Sequence, residues 1–349
     1  MFAGRAKTCK GMWSNRVERF AVQSTSAASR LRLAVKAQLI RFNKNKLRKK
    51  LSVSIQFQAR LSMRSKAKVN SPIKLSDYKQ QIADLYNGRS SNYDNGDNGN
   101  WHLQIAQRLV EYAQLNPRQQ VLDLATGTGM VAIEAAKIVG TEGRVIGVDI
   151  SSGMLDVAKQ KSKTLNLSNI EFLLADAETL NFSANSFDRI FCSSAFIWMS
   201  DLIGALKLWH QFLKPGGLLS FHAFADTAFV EGVVAQKVLE KYGVSLLLSK
   251  PTGTVKKCYN LLQQAGFEKI DIQTKQDGSY ISLEKVKRMW LNRDLSPKPG
   301  QYPNPLLKLS SEQLAQAKAE LDAELERLNT KRGIWNDTTI FYIFGRKAA

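Results

Sequence analysis

Val121-Leu-Asp-Leu-Ala-Thr-Gly-Thr-Gly129 decides the fold of this 349-residue chain. Its first half is a short apolar, β-branched run of the kind a buried parallel strand needs. Two glycines and two threonines follow, and then the alanine-rich run Met130-Val-Ala-Ile-Glu-Ala-Ala-Lys137. The order is strand, tight turn, helix. Glycine at Gly127 and Gly129 opens backbone angles closed to other residues and lets a ligand touch the main chain. Asp123 stands inside the apolar strand, where a carboxylate is costly unless it is paired or hydrogen-bonded.

Working outward, the same alternation continues. Arg144–Asp149 and Ile170–Asp176 read as buried strands that end in acids, and Phe187–Ser193 as a fourth strand. Ser151 or Ser152 caps the helix carrying Met154, Leu155 and Ala158. Asp201–Leu213 is a helix closed by Lys214-Pro-Gly-Gly217, a turn expected to launch strand five, Leu218–His222. This βα alternation implies a parallel sheet covered on both faces. Thr254–Ala265, Ser282–Trp290 and Ser311–Asn329 read as helices, Lys269–Gln273 as a strand, and Ser296–Pro305 as a Pro-rich linker. Thr338–Gly345 reads as an edge-adjacent last strand. Ahead of the opening stretch, a helix near Ser76 leads into a polar Asn/Gly/Asp loop ending at Asn100. An amphipathic helix from Trp101 to Leu115 comes next, ended by Asn116-Pro117.

The net charge of +20 is concentrated at one end. Residues 1–70 hold 18 Lys/Arg against one acid, Glu18, and the rest holds 32 against 29. A nucleic-acid footprint across the folded body is therefore not supported. Three readings of the basic segment stand: an organellar transit peptide, an upstream region ahead of a true start near Met63, or a basic arm around Lys44–Lys50 for RNA or anionic membrane. The first implies plastid or mitochondrion; a prokaryotic chain without such a signal is expected in the cytoplasm. Cys9, Cys192 and Cys258 are scattered, giving neither a metal knuckle nor a disulfide framework. No metal is expected. No run of roughly 18 apolar residues exists, which argues against a transmembrane helix.

Acids at the ends of consecutive parallel strands, with a glycine turn after the first, gather at the carboxyl edge of the sheet, where open α/β sheets bind ligands. Asp149 holds the place of the acid that accepts from ribose hydroxyls. A dinucleotide site is the rival, but the turn carries Ala132 where a third glycine would stand. Asp176-Ala-Glu178 and Lys214-Pro-Gly-Gly217 do not belong to that pattern either.

On Val121–Gly129, Gly147-Val-Asp-Ile-Ser-Ser-Gly-Met-Leu155, Asp176-Ala-Glu-Thr-Leu180, Phe187-Asp188 and Leu213-Lys-Pro-Gly-Gly217, the chain resembles the class I S-adenosylmethionine-dependent methyltransferases. It is most similar to their ubiquinone/menaquinone-type, small-molecule branch. The resemblance implies a Rossmann-like, doubly wound α/β fold: a mostly parallel seven-stranded sheet with an antiparallel last strand. An N-terminal helical lid (71–117) would precede a methyltransferase domain (118–349) that carries a helical substrate-covering insertion (281–335). The resemblance further implies that Gly127, Thr128 and Gly129 approach the methionine moiety, with Asp123 ordering the turn or holding the cofactor amine. Asp149 would bind the ribose diol, flanked by Ile150 and Met154 at the adenine. Asp176 and the Ala177 amide would meet the adenine edge, Ser193 would lie near the methionine end, and Tyr86 and Tyr93 would sit on the lid.

The sulfonium carries an activated methyl, so the protein need supply only alignment, desolvation and at most one base. His222, at the end of strand five, and His102, beside Trp101, are the candidate bases, while His210 reads as structural. Strand four ends Cys192-Ser-Ser-Ala-Phe-Ile197 rather than Asn/Asp-Pro-Pro-Tyr, which speaks against methylation of base amines. Trp290, Tyr302 and Leu306–Leu307 would give the insertion an apolar surface. The expected acceptor is a small hydrophobic quinone, prenyl-lipid or secondary metabolite; the alternative is RNA or protein, engaged through the basic arm.

Overall fold

The apolar run ahead of the glycines forms strand β1 (Gln120–Leu124), and its side chains alternate between two sheet faces. Leu122 and Leu124 enter one apolar cluster with Ile190, Trp209 and Phe221; Val121 enters another with Leu109, Val131 and Phe344. Both faces are covered, as a near-continuous apolar strand requires. The computed structural model describes residues 75–246, 251–291 and 305–349, all within the unit Ile73–Ala349. The readings of residues 1–70, of Tyr302 and of most of the Pro-rich segment lie outside the described residues.

Helices α1 (Asp77–Arg89) and α2 (Gly96–Tyr112) precede β1. After it come α3 (Met130–Val139), β2 (Arg144–Asp149), α4 (Ser152–Thr164), β3 (Ile170–Leu174), β4 (Phe187–Cys192), α5 (Leu202–Phe212) and β5 (Leu213–Phe224). The chain continues through α6 (Val230–Glu240), α7 (Val255–Gln264), β6 (Glu268–Lys275), β7 (Gly278–Ile281), α8 (Leu283–Leu291), α9 (Ser311–Leu328), β8 (Ile334–Asp337) and β9 (Ile340–Arg346). The seven-stranded sheet runs β3-β2-β1-β4-β5-β9-β6, with β9 antiparallel to both neighbours. Its first five strands pair in parallel. The expected sheet is therefore present, and the last strand lies next to its edge. Strand order reverses between β1 and β4, opening a crevice at their carboxyl ends.

Local expectations shift in three places. Lys214-Pro-Gly-Gly217 is a bulge within β5 rather than a turn before it, because Phe187 pairs Leu213 and Arg189 pairs Leu218. A bulge accommodates Pro215, which cannot donate to the ladder, and Gly216, at a φ of 72°. Helix α2 begins at Gly96, so part of the polar loop is its first turn. It also stops at Tyr112, before Pro117, with Gln114 left-handed at 49°. Packing of Ile105, Ala106, Leu109 and Val110 against α3 overrides weak local propensity there. Finally, α6, α8, α9 and β8 share a separate apolar cluster built on Val234, Leu239, Val286, Leu321 and Ile334, in which Leu306 is buried. The expected insertion thus gains α6, a partner from outside its range, and a small β7–β8 sheet. No helix among the described residues is long and apolar enough to cross a membrane, and none of their His, Cys, Asp or Glu clusters could hold a metal.

Candidate functional site

The chain leaves β1 through Ala125 at a φ of 50°, Gly127 at 55° and Gly129 at 82°. A Cβ on Gly129 would stand 3.1 Å from the Ala158 Cβ, so glycine is needed there for space as well as angle. Two carboxylates fix this turn. Asp149 accepts from the Gly127 amide at 2.8 Å through one oxygen and from the Ser151 amide at 2.8 Å through the other. Asp123 accepts from the Thr126 hydroxyl at 2.5 Å and the Ala132 amide at 3.1 Å, both through Oδ2. Its Oδ1 is buried with no hydrogen-bond partner, in a residue 1% exposed. Burial pushes the Asp123 carboxyl up to about 7, although Thr126 and Ala132 pull it down. Burial also raises Asp149, against its backbone donors.

Two cavities meet at Ala125, Gly127, Ser193 and Ser194. The larger encloses about 660 Å³ open to solvent, and Tyr86, Asp149, Ile150, Met154, Asp176 and Ala177 line it. The smaller, about 370 Å³, is lined by His102, Asp123 and Thr128 among others. Gly129 and His222 line neither. The sequence reading therefore placed most of its residues around one connected space.

Contacts that it did not anticipate tie α1 and the following loop over this space. The Asn87 side-chain oxygen accepts from the Ser151 hydroxyl at 2.7 Å and the Gly153 amide at 2.9 Å. Asp94 accepts from the Thr128 hydroxyl at 2.6 Å and from Lys161 at 2.8 Å. Lys79, 5% exposed, reaches Asp176 at 2.7 Å and also pairs with Glu178. Burial alone would lower the Lys79 pKa, but hydrogen bonds and charge from the two acids outweigh it and hold the ammonium above its usual value. Arg89 covers the rings of Tyr86 and Tyr93 at 5.4 and 5.8 Å. A Lys79→Met change removes the cation shared by both acids, while Asp176 keeps the Glu178 amide and Glu178 keeps the Ser200 and Asp201 amides as donors. The change is expected to lower stability by about 3 kcal/mol, the low end for a broken buried pair, because Asp176 lines the open cavity and can regain water. Thermal unfolding with and without S-adenosylhomocysteine checks this, and an unchanged midpoint would refute it.

At the far end of the space, His102 stacks on Tyr93 with centroids 5.4 Å apart and meets Trp101 edge-on at 5.1 Å. Trp101 in turn stacks on Phe224 at 5.4 Å, and Phe229 packs on both. Phe229 is left-handed at a φ of 63°, and its backbone N–H donates a hydrogen bond to the Asp337 carbonyl at 2.8 Å. A bulky residue in that region is strained, and such strain gathers at ligand sites. His222 is 3% exposed behind Ser193 and Ser194, and burial, with the nearby His102, lowers it to about 3. His102 is lowered by burial and then by Arg89, against Asp94. Both rings are neutral near pH 7.

The residues present fit S-adenosylmethionine in their chemistry. A buried carboxylate oxygen without a donor answers an ammonium group, and a strand-end carboxylate beside an apolar wall answers a ribose with its base.

Comparison with known proteins agrees. A methyltransferase-domain family model matches residues 121–217. The aklanonic acid methyltransferase DauC of Streptomyces sp. is 34% identical over 146 residues, 42% of this chain and 66% of that protein. The demethylmenaquinone methyltransferase of Staphylococcus carnosus is 34% identical over 143 residues, 40% of this chain and 58% of that one. The matches thus span under two thirds of these first relatives. The ubiquinone/menaquinone biosynthesis C-methyltransferase UbiE of Bdellovibrio bacteriovorus is 34% identical over 222 residues, 59% of this chain and 89% of that protein. Among solved structures, the cyclase SpnF shares the fold with a TM-score of 0.50 at 16% identity, covering 80% of this chain and 100% of that one. At that identity the likeness speaks for the fold alone. A relative at one-third identity matched over nearly its whole length, with the family motifs at the β1 turn, settles membership: the chain belongs to the S-adenosylmethionine-dependent methyltransferases.

Proposed function

We propose that this protein methylates a small, flat, hydrophobic acceptor bearing an ionisable hydroxyl, such as a quinol, a hydroxylated prenyl-lipid or an aromatic secondary metabolite. The observation that carries this reading is the aromatic group Trp101–Phe224–Phe229 packed beside His102, next to the cavity that holds Asp123 and the glycine turn. Stacked and edge-on aromatic rings behind His102 favour a planar apolar partner over a charged or flexible amine. The names of the relatives, which include menaquinone-pathway and aklanonic acid methyltransferases, point to the same acceptor chemistry.

When bound, S-adenosylmethionine supplies an activated methyl on its sulfonium. The chain's own residues do the rest. The Asp123 Oδ1 holds an ammonium, Gly127 to Gly129 leave the backbone approachable, and Asp149 takes the ribose diol. Ile150, Met154, Asp176 and Ala177 take the base, with Lys79 orienting Asp176. The α1 segment closes the site through Asn87 and Asp94 and keeps bulk water from the reacting atoms. His102, neutral near pH 7, accepts the acceptor's hydroxyl proton.

A labelled-methyl transfer assay on hydroquinones, hydroxylated polycyclic aromatics, ethanolamine headgroups and RNA tests the reading. Label in the aromatic classes supports it; label confined to amines or RNA overturns it. Phe229, 37% exposed, gives the accompanying variant. Phe229→Ala is expected to raise the acceptor KM about tenfold, as loss of one aromatic contact predicts, while affinity for S-adenosylhomocysteine stays constant.

A further inference from the structure

Ser194 follows β4 by two residues and is left-handed at a φ of 58°, a conformation unfavourable for a non-glycine residue. The strained backbone sets its hydroxyl between two imidazoles. The Ser194 Oγ lies 3.3 Å from His102 Nδ1 and 3.2 Å from His222 Nε2, and His222 Nδ1 lies 3.4 Å from the Ser193 Oγ. Four side chains from β5, α2 and the end of β4 thus form one hydrogen-bonded chain that reaches the smaller cavity at His102.

A hydroxyl carries one proton, so Ser194 donates to one ring and accepts from the other. The chain therefore has a direction, and two are available. In one, His102 Nδ1–H donates to Ser194, Ser194 donates to His222 Nε2, and His222 Nδ1–H donates to Ser193. In the other, every donor is reversed, and His102 Nδ1 is already occupied by the serine proton. Only the first leaves His102 Nε2 with a free lone pair, and only it lets His102 take a proton without reversing its partners.

We propose that Ser194 is a positioning residue that holds His102 in the Nδ1–H tautomer and so leaves Nε2 as the proton acceptor for the substrate hydroxyl. This rests on the methyl-transfer reading above and assigns its base a mechanism. In the step, the acceptor O–H bond breaks, its electron pair stays on oxygen, and the proton forms a bond to His102 Nε2. The resulting imidazolium keeps its Nδ1–H on the Ser194 oxygen, and the proton returns to water after product leaves. His222 stays neutral throughout as the acceptor of the Ser194 proton, which gives a function to a buried histidine that lines neither cavity.

Nitrogen-15 histidine spectra of the full chain read the tautomer with no acceptor present. The chain has three histidines, so the set is small, and His102→Gln assigns the relevant signals. The wild type is expected to show His102 as a single tautomer protonated at Nδ1. Ser194→Ala and Ser194→Gly are expected to show mixed tautomers. Glycine accepts the left-handed backbone, so Ser194→Gly removes the hydroxyl without strain and keeps the test valid where alanine fails to fold. Both variants are expected to retain affinity for S-adenosylhomocysteine and to lose about 10- to 100-fold in kcat, the range for a residue that orients a functional histidine. Unchanged His102 signals, or a Ser194→Gly enzyme with full kcat, would overturn the proposal and leave the methyl-transfer reading intact. If no hydroxyl acceptor takes label, that reading fails, while the spectra still decide the tautomer.

Discussion

An Asp149→Ala protein is expected to bind S-adenosylhomocysteine about 100-fold more weakly than the wild type in calorimetric titration. The carboxylate ends β2 at the crevice, where its two oxygens already hold the Gly127 and Ser151 amides. It therefore fixes the glycine turn and the start of α4 before any ligand arrives. A ribose diol adds charge-assisted hydrogen bonds worth roughly 1.5–3 kcal/mol each, and losing about 3 kcal/mol corresponds to about 100-fold. Asp149→Asn keeps one acceptor oxygen and should fall between the two. Equal affinities for wild type and alanine variant would remove Asp149 from the cofactor site.

The second large effect is a dependence on pH. Burial lifts Asp123 to about 7, so the unliganded protein holds a proton there across the mildly acidic range. Its folded value lies above the unfolded value of 3.8, so the native state binds the extra proton and stability falls as pH rises from about 4 to about 7. Binding runs the other way. An ammonium group selects the ionised carboxylate, so affinity for S-adenosylhomocysteine should strengthen as pH rises through the same window and level off above it. One proton released on binding predicts about 25-fold tighter binding at pH 7.5 than at pH 5.5. Asp149, also raised by burial, adds a slope of the same sign. Asp123→Asn should flatten most of this slope and weaken binding at pH 8 by about tenfold or more. A flat profile in the wild type would place the ammonium elsewhere.

The sheet and many of the residues that line the cavities at its carboxyl edge were legible because buried parallel strands read as apolar runs, and an acid in or just after such a run stands out. Asp123, Asp149 and Asp176 were found on that ground. Lys79, Asn87 and Asp94 were not, because they sit in polar stretches with no periodicity of their own. Their partners lie far away in the chain: Lys79 and Asp176 are 97 residues apart. Helix α6 escaped because Val230-Glu-Gly-Val-Val-Ala mixes β-branched residues with glycine, which local propensity assigns to neither helix nor strand. His222 was placed at the right end of β5, but burial depth carries no sequence signal, and so its enclosure behind Ser194 did not show. The serine pair after β4 was visible as a pair. What distinguishes Ser194 from Ser193 is a backbone angle.

The place of β9 has a consequence for biosynthesis. Strands β5 and β6 are complete by residue 275, yet the strand that joins them ends at Arg346. While a ribosome is still making the intervening 64 residues, from 276 to 339, both strands present open edges. Such edges recruit other chains. Helices α8 and α9 are synthesised inside that interval and α6 before it, so the apolar cluster they share is made before the sheet can close. Newly made chains that stall before residue 340 should therefore need a chaperone to keep β5 and β6 apart from other nascent proteins.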